Sequence, residues 1–359
     1  MGVPRSKSLR RTGAARHSGP ANSWLIQCAP GLASVLKKEM VYVGALERKQ
    51  EVFIKRQRNH DLIFVNHVKS DIGLKDLRVA EVVLKCPIFG RYKISQRQLQ
   101  TLAEALQEVG PRRLVVQVAG KIFDRRDISR WLEKELTERD YLFDPEIEDE
   151  VWMFCIDEAY YFGIPIAKAR QTEGRGERSE ERHGSLPPTV AAALAFSGQP
   201  RDEDVILDPV CGSGTLLAEA AAYAPGSQLL GVDIDAEAVA VARSNLAQLA
   251  KLKLYKGDSR QLKAIAGFDA CDISLALANF PFGVQFGDKK TNAELYRQIL
   301  ESTLAQAAPG RFRAVLFTSD VESLRIALSG FSNFETQDLF RVKVRGELAT
   351  AVLIKRKSK

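Results

Sequence analysis

Histidine and cysteine are scarce, and where they stand excludes more than their number does. The four histidines (His17, His60, His67 and His183) are too few and too scattered for a tetrahedral zinc ligand set or a His-Glu-x-x-His helix, so no metal site is expected. Five cysteines (Cys28, Cys86, Cys155, Cys211 and Cys271) lie far apart, with no Cys-x-x-Cys pair among them. That pattern suits reduced thiols in the cytoplasm rather than a disulfide framework. Long apolar runs are also missing. No window approaches the ~18 uninterrupted apolar residues of a membrane span, and the first twenty residues hold no block that could serve as a signal-peptide core. A cytoplasmic setting without a membrane partner is expected.

Acidic side chains are absent where basic ones gather. Residues 1–20 carry Arg5, Lys7, Arg10, Arg11 and Arg16 and no acid, while Lys355, Arg356, Lys357 and Lys359 cluster at the other end. Between them stand 43 basic and 45 acidic residues, so the net charge of +7 belongs to the termini. Such ends permit a nucleic-acid partner without establishing one; solvated tails fit equally well. The Arg-, Ser-, Gly- and Pro-rich opening is expected to be disordered. A transit segment and a Met-Gly-x-x-x-Ser myristoylation signal are the alternatives there.

What is present is enough for two to three domains: 359 residues, 45% of them hydrophobic. Periodicity predicts strands at 24–26, 52–55, 62–65, 114–118 and 151–156, with helices at 32–40, 95–109 and 128–138. This α+β material ends near Pro165. A polar, glycine-bearing stretch, 171–184, reads as a linker. Beyond it strands at 205–207, 229–232, 273–277 and 314–318 alternate with helices at 215–223, 237–252 and 292–308, which implies a parallel sheet covered by helices. Strands at 340–344 and 350–355 close the chain around Gly346.

The chemistry concentrates in this second half. Asp208-Pro-Val-Cys-Gly-Ser-Gly-Thr215 follows an apolar strand and opens a helix, so Gly212, Ser213, Gly214 and Thr215 form a cofactor loop whose backbone N–H groups face a ligand. Position 217 is Leu where a dinucleotide fingerprint has Gly, which disfavours a nicotinamide cofactor. Twenty-one residues after Gly212, Asp233 ends the next strand, where a carboxylate can accept both hydroxyl protons of a ribose. Asp235 is the neighbouring alternative. Gly257-Asp258-Ser259 ends a further strand, the third in order and preceding 273–277, where a carboxylate can meet the amino group of adenine. After the fourth strand comes Asn279-Phe-Pro-Phe-Gly283. There the Asn279 amide and a carbonyl near Pro281 can both accept protons from one exocyclic amine, and Phe282 can stack on its base.

These motifs resemble those of class I S-adenosylmethionine-dependent methyltransferases acting on exocyclic amines. The form Cys-Gly-Ser-Gly-Thr, preceded by Gly184-Ser-Leu-Pro-Pro188, resembles the THUMP-containing RNA guanine-N2 methyltransferases, and the transfer-RNA branch among them. Ala29-Pro-Gly-Leu32 resembles that family's opening turn. One departure is Phe280, where many amino methyltransferases carry Pro. It leaves room for an altered substrate or a lost activity.

The resemblance implies an α/β, Rossmann-like methyltransferase domain over 191–359, preceded by a disordered tail (1–20), a ferredoxin-like segment (21–70), a THUMP domain (71–165) and a linker (166–190). It implies S-adenosylmethionine as cofactor, held by His183, Gly184, Ser185, Leu186 and Pro187, by Asp208 and the glycine loop, and by Asp233, Asp258, Ser259 and Asn279. Ser185 is expected to cap a helix whose first turn tolerates Pro187 and Pro188, creating an anion site for the methionine carboxylate. Asn279, Pro281 and Phe282 are the implied catalytic residues. Arg112, Arg113, Lys121, Arg125, Arg126 and Arg130 are expected to contact RNA phosphates. The expected activity is methylation of guanosine N2 in RNA, transfer RNA foremost, by a monomer. A ribosomal or other small RNA is one alternative, and an RNA-binding protein with an idle methyltransferase domain is the other.

Overall fold

The computed structural model describes residues 23–66, 68, 72–91, 93–119, 124–156, 158–168, 185–269, 272–281 and 289–357. The expected tail (1–20) and the stretch 171–184 lie outside them. The chain opens with β1 (Trp24–Cys28), α1 (Ala33–Tyr42), β2 (Phe53–Arg56), β3 (Asp61–Val65) and a 3-10 turn over Ile72–Asp76. Then follow β4 (Val82–Arg91), α2 (Gln96–Val109), β5 (Arg113–Ala119), α3 (Arg125–Thr137), β6 (Glu150–Ile156) and β7 (Ala159–Lys168). Contacts divide the protein into two units, one built from residues 1–25 and 84–165, the other from 26–83 and 166–359.

In the first unit the strands run in the order β4-β7-β6-β5, with β5 parallel and β7 antiparallel to β6. Helix α2 starts where expected because Ser95 Oγ accepts the Gln98 N–H and the Gln98 side chain accepts the Ser95 N–H, a reciprocal cap. Its buried Leu99, Leu102, Ala103 and Leu106 share a core with Leu132 and Leu136 of α3. Helix α3 begins at Arg125, three residues before the predicted start, since Asp124 accepts the N–H groups of Arg126 (2.8 Å) and Asp127 (3.1 Å). Strands β4 and β7 were not expected: each contains a proline (Pro87, Pro165) and a glycine (Gly90, Gly163), which blur strand periodicity.

The second unit carries α4 (Pro188–Ser197), β8 (Val205–Asp208), α5 (Thr215–Tyr223), β9 (Gln228–Asp233), α6 (Ala236–Asn245), β10 (Leu252–Lys256), a 3-10 segment (Ser259–Ala264), β11 (Leu275–Asn279), α7 (Lys289–Leu304), β12 (Arg313–Thr318), α8 (Val321–Leu328), β13 (Phe334–Val344) and β14 (Glu347–Arg356). The sheet order is β10-β9-β8-β11-β12-β14-β13. Five strands are parallel, the four with predicted ranges and β10 beside them, and the closing pair is antiparallel, so the sheet is mixed. The strand order reverses between β8 and β11, where open α/β sheets form a crevice at the carboxyl ends of their strands. Helix α6 stops at Asn245, not at 252 as predicted, because Leu252–Lys256 is needed to pair with Leu229–Asp233. Helix α8, capped by Asp320, was not expected.

Residues 26–83 pack into this second unit through specific contacts. A Cβ on Gly31 (φ +95°) would stand 2.0 Å from the Arg341 carbonyl oxygen, so only glycine fits. Glu39, fully buried in α1, accepts the N–H groups of Arg78 (2.8 Å) and Val79 (3.0 Å) and the Tyr223 hydroxyl of α5. Arg78 in turn pairs with Glu219 of α5 at 2.7 Å. A hydrogen bond to a buried charged acceptor contributes about 1.5–3 kcal/mol. Tyr223→Phe is therefore expected to lower unfolding free energy by about that amount, read as an earlier urea midpoint with an unchanged slope. A midpoint equal to wild type would show the bond to be energetically neutral.

Candidate active site

The sequence-predicted loops come together at the carboxyl edge of β8, β9, β10 and β11. After β8 the chain turns through Pro209–Gly214 into α5. Gly214 sits at φ +84°, and a Cβ there would meet Leu246 Cδ1 at 2.6 Å, so glycine is required for α5 to start against α6. Among the described residues nothing lies within 4 Å of where a Cβ on Gly212 would be. The loop thus leaves open space over its backbone at the start of a helix.

Asp233, at the end of β9, holds this loop in place. Its Oδ2 accepts the Gly212 N–H at 2.8 Å and its Oδ1 the Asp235 N–H at 2.9 Å. Asp235 itself caps α6 by accepting the Glu237 N–H at 2.9 Å. Next to Asp233, Ile234 is 67% exposed, a large apolar side chain at the strand edge that sequence reasoning passed over.

Asp208 is fully buried. Desolvation, aided by the like charge of Asp233, pushes its carboxyl up to about 8, against the usual carboxylate range near 4 of an unfolded chain. Below the unfolded value the carboxyl is protonated in both states and costs nothing. As pH rises towards 8 the unfolded chain releases the proton first, so folding is progressively disfavoured. In Asp208→Asn that penalty is absent, and the amide still accepts the Val210 N–H now held at 3.1 Å. The melting temperature of the variant should therefore climb relative to wild type from pH 5 to 8. A difference that stays flat across this range would mean that Asp208 is ionised throughout.

The residues before α4 meet the same loop, though not as predicted. The N-cap of α4 is Pro187, with Pro188 at the first helical position, and Ser185 does not cap the helix. Its Oγ lies instead 3.0 Å from Ser213 Oγ, and its carbonyl accepts a hydrogen bond from Arg345 at 3.3 Å. With two prolines already fixing the chain entry, the Ser185 hydroxyl is free to bind the glycine loop. Ser213 lies 3.4 Å from the Thr215 hydroxyl, and its carbonyl accepts the Asn245 side-chain amide at 3.1 Å. Leu186 is buried. His183 and Gly184 lie outside the described residues.

After β10, the Asp258 carboxylate caps the 3-10 segment and binds the Arg260 guanidinium at 2.6 Å, which holds its carboxyl below the usual range. Ser259 is buried, and its hydroxyl donates to the Pro209 carbonyl, tying the third loop to the first. At the end of β11 the Asn279 side chain is half-buried, yet its Oδ1 is wholly buried with no hydrogen-bond partner among the described residues. A buried acceptor without a donor is costly, and such atoms concentrate where a ligand completes them. The Pro281 carbonyl already accepts the Tyr296 hydroxyl at 2.6 Å, so it offers an incoming amine only its second lone pair. Phe282 lies outside the described residues.

This edge therefore presents a glycine loop, a strand-end carboxylate and an unpaired amide oxygen. Residues 175–350 match the profile described as RMKL-like, methyltransferase domain. The tRNA (guanine(6)-N(2))-methyltransferase THUMP3 of Mus musculus is 30% identical over 212 residues, covering 54% of this chain and 41% of that protein. The tRNA (guanine(6)-N2)-methyltransferase of Thermus thermophilus is 34% identical over 148 residues, covering 40% of this chain and 43% of that protein. The matched regions thus span about two fifths of these curated relatives. The crystal structure of TrmN from Thermus thermophilus superposes with a TM-score of 0.75 at 22% identity, over 94% of this chain and all of that one. That likeness shows the fold alone, with its mixed α/β sheet.

The basic candidates lie in the other unit. Arg125, Arg126 and Arg130 are exposed on the first turns of α3 and line one shallow groove with Ser129 and Glu133. Arg130 pairs with Asp127 at 3.3 Å, Arg112 with Asp149 at 3.2 Å, and Arg113 with Glu150. Lys121 lies outside the described residues. Among the described residues no helix is long and apolar enough to cross a membrane.

Proposed function

We propose that this protein methylates the exocyclic N2 of a guanosine in RNA, with transfer RNA as the favoured substrate and S-adenosylmethionine as the methyl donor. The observation that carries the reading is the Asn279 Oδ1, a buried acceptor without a partner among the described residues, at the crevice of the methyltransferase domain. The transfer-RNA guanine-N2 methyltransferases among its relatives support the same substrate class.

The residues present fit the donor. Open space over Gly212 leaves room for it beside the N-terminus of α5, Asp233 can receive ribose hydroxyls, and exposed Ile234 offers an apolar face to adenine. Ser185, Leu186 and Pro187 would flank the methionine end, with Asp208 beneath the loop. When bound, S-adenosylmethionine supplies an electrophilic methyl group.

The work of the chain is to hold the amine in line with that methyl. The lone pair of an aromatic amine is delocalised into its ring. A hydrogen bond from the amine to Asn279 Oδ1 favours a pyramidal nitrogen, returns the lone pair to it, and stabilises the positive charge that grows there. No strong base is needed, because the proton leaves an already cationic nitrogen after transfer. In this reading residues 21–70 form a ferredoxin-like segment and 71–165 a THUMP domain. Arg112, Arg113, Lys121, Arg125, Arg126 and Arg130 serve as phosphate contacts, and the target nucleotide is flipped into the pocket.

The test is to incubate the full chain with unmodified transfer RNA and isotope-labelled donor, then to digest and analyse the nucleosides by mass spectrometry. Labelled N2-methylguanosine is the expected product. Label in adenosine, or in ribosomal RNA alone, would overturn the assignment of base or of RNA, and tight donor binding with no transfer to any RNA would favour an idle domain.

A further inference from the structure

Phe280 departs from the proline common at this position, and the structure shows what has taken over. The Phe280 N–H donates to the Phe317 carbonyl at 2.9 Å, extending the β11–β12 pairing by one bond that a proline could not make. Its fully buried ring stacks on Tyr296 of α7, centroids 4.5 Å apart and planes 12° from parallel. Tyr296, itself without exposed surface, reaches past that stack to donate its hydroxyl to the Pro281 carbonyl at 2.6 Å.

The direction of this network is fixed by counting protons. The Pro281 carbonyl can only accept, so the single phenolic proton is committed to it. Thr318 Oγ1, 3.1 Å from the Tyr296 hydroxyl, must then donate to the phenol oxygen, while it accepts the Asp320 N–H at 3.0 Å. Burial pushes the Tyr296 phenol up to about 12, so the proton stays in place across the working pH range.

We propose that Tyr296 is a positioning residue of the methyl-transfer site, clamping the Asn279-Phe280-Pro281 turn by stacking on its middle residue and hydrogen-bonding to its last. The inference rests on the function proposed above. The Phe280 N–H tied to β12 and the Pro281 oxygen tied to α7 hold the backbone next to Asn279, and the rigidity a proline would have given the turn comes from the Phe280–Tyr296 pair.

Tyr296→Phe keeps the ring stack and removes only the pin, which makes it the informative variant. Hydrogen exchange of the peptide spanning Asn279–Pro281, in the full chain without donor or RNA, should speed up by about 5–10-fold, the loss expected for one hydrogen bond. Single-turnover transfer to unmodified transfer RNA should slow by a similar factor, with donor and RNA dissociation constants unchanged. Thr318→Val, which leaves the pin but removes its support, should give a smaller effect in the same direction. Wild-type exchange and a wild-type transfer rate in Tyr296→Phe would overturn the proposal, and so would slower transfer accompanied by weaker donor binding. A wild-type chain that methylates no RNA would overturn the substrate reading instead, and the exchange measurement would still decide whether Tyr296 clamps the turn.

Discussion

Replacing Asn279 with Ala is expected to lower kcat by roughly 10²–10³-fold while leaving both binding steps in place, the signature of a contact made chiefly in the transition state. The reason lies in the state of Oδ1 before substrate arrives. It is buried and has no partner among the described residues, so the folded protein already carries the cost of keeping an acceptor dry. That cost is relieved when a donor reaches it, and most fully when the target nitrogen becomes tetrahedral and its N–H bonds more acidic. Removing the amide therefore also removes an unfavourable feature of the free enzyme, and Asn279→Ala should melt no lower than wild type. Asn279→Asp sharpens the test, because a carboxylate beside a developing ammonium would restore an acceptor while changing the pH profile. Single-turnover methylation with labelled donor measures the chemical step directly. A fully active alanine variant would sink the proposed mechanism.

The difference between what the sequence reveals here and what it hides follows from the range of the interactions. Gly212, Gly214, Asp233 and Asn279 occupy strand ends and strand-to-helix turns, where residue type is dictated by local backbone geometry and by the open edge of a parallel sheet. Such signals survive in a single sequence. Tyr296 does not announce itself: it is one aromatic on a helix, fifteen residues beyond the Pro281 oxygen it binds. Its neighbour on the next strand, Thr318, is twenty-two residues further on. The Glu39–Tyr223 contact spans 184 residues, and nothing in the pattern of either segment points to the other. Ser185 illustrates a different failure. Its position two residues before Pro187 is compatible with a cap, but the prolines already set the entry of α4, and the hydroxyl went to the glycine loop instead. Local rules there allowed two outcomes, and a contact with Ser213, distant in sequence, selected one. Helix α6 failed for the same reason, since the apolar spacing of Leu246, Leu249 and Leu252 suits a helix until β10 must form beside β9.

Asp233→Ala should weaken binding of S-adenosylmethionine by roughly 30–150-fold, corresponding to about 2–3 kcal/mol for hydrogen bonds to a charged acceptor. Two effects feed into that number, and they can be separated. The carboxylate accepts the Gly212 N–H at 2.8 Å, so its loss frees the loop that faces the donor, and it also removes the acceptor for the ribose hydroxyls. Asp233→Asn keeps one oxygen, enough for Gly212 or for one hydroxyl but not for all, and should fall between wild type and Ala. At saturating donor neither variant should greatly change the rate of transfer, because Asp233 does not meet the amine. The control is Asp235→Ala. That residue caps α6 through the Glu237 N–H at 2.9 Å, so its removal should cost about 1 kcal/mol of stability and little donor affinity. Calorimetric titration of the donor into all three variants and wild type, each paired with a thermal melt, distinguishes the roles. Affinity retained in Asp233→Ala but lost in Asp235→Ala would move the ribose contact two residues along the chain, and would leave Asp233 as a loop anchor alone.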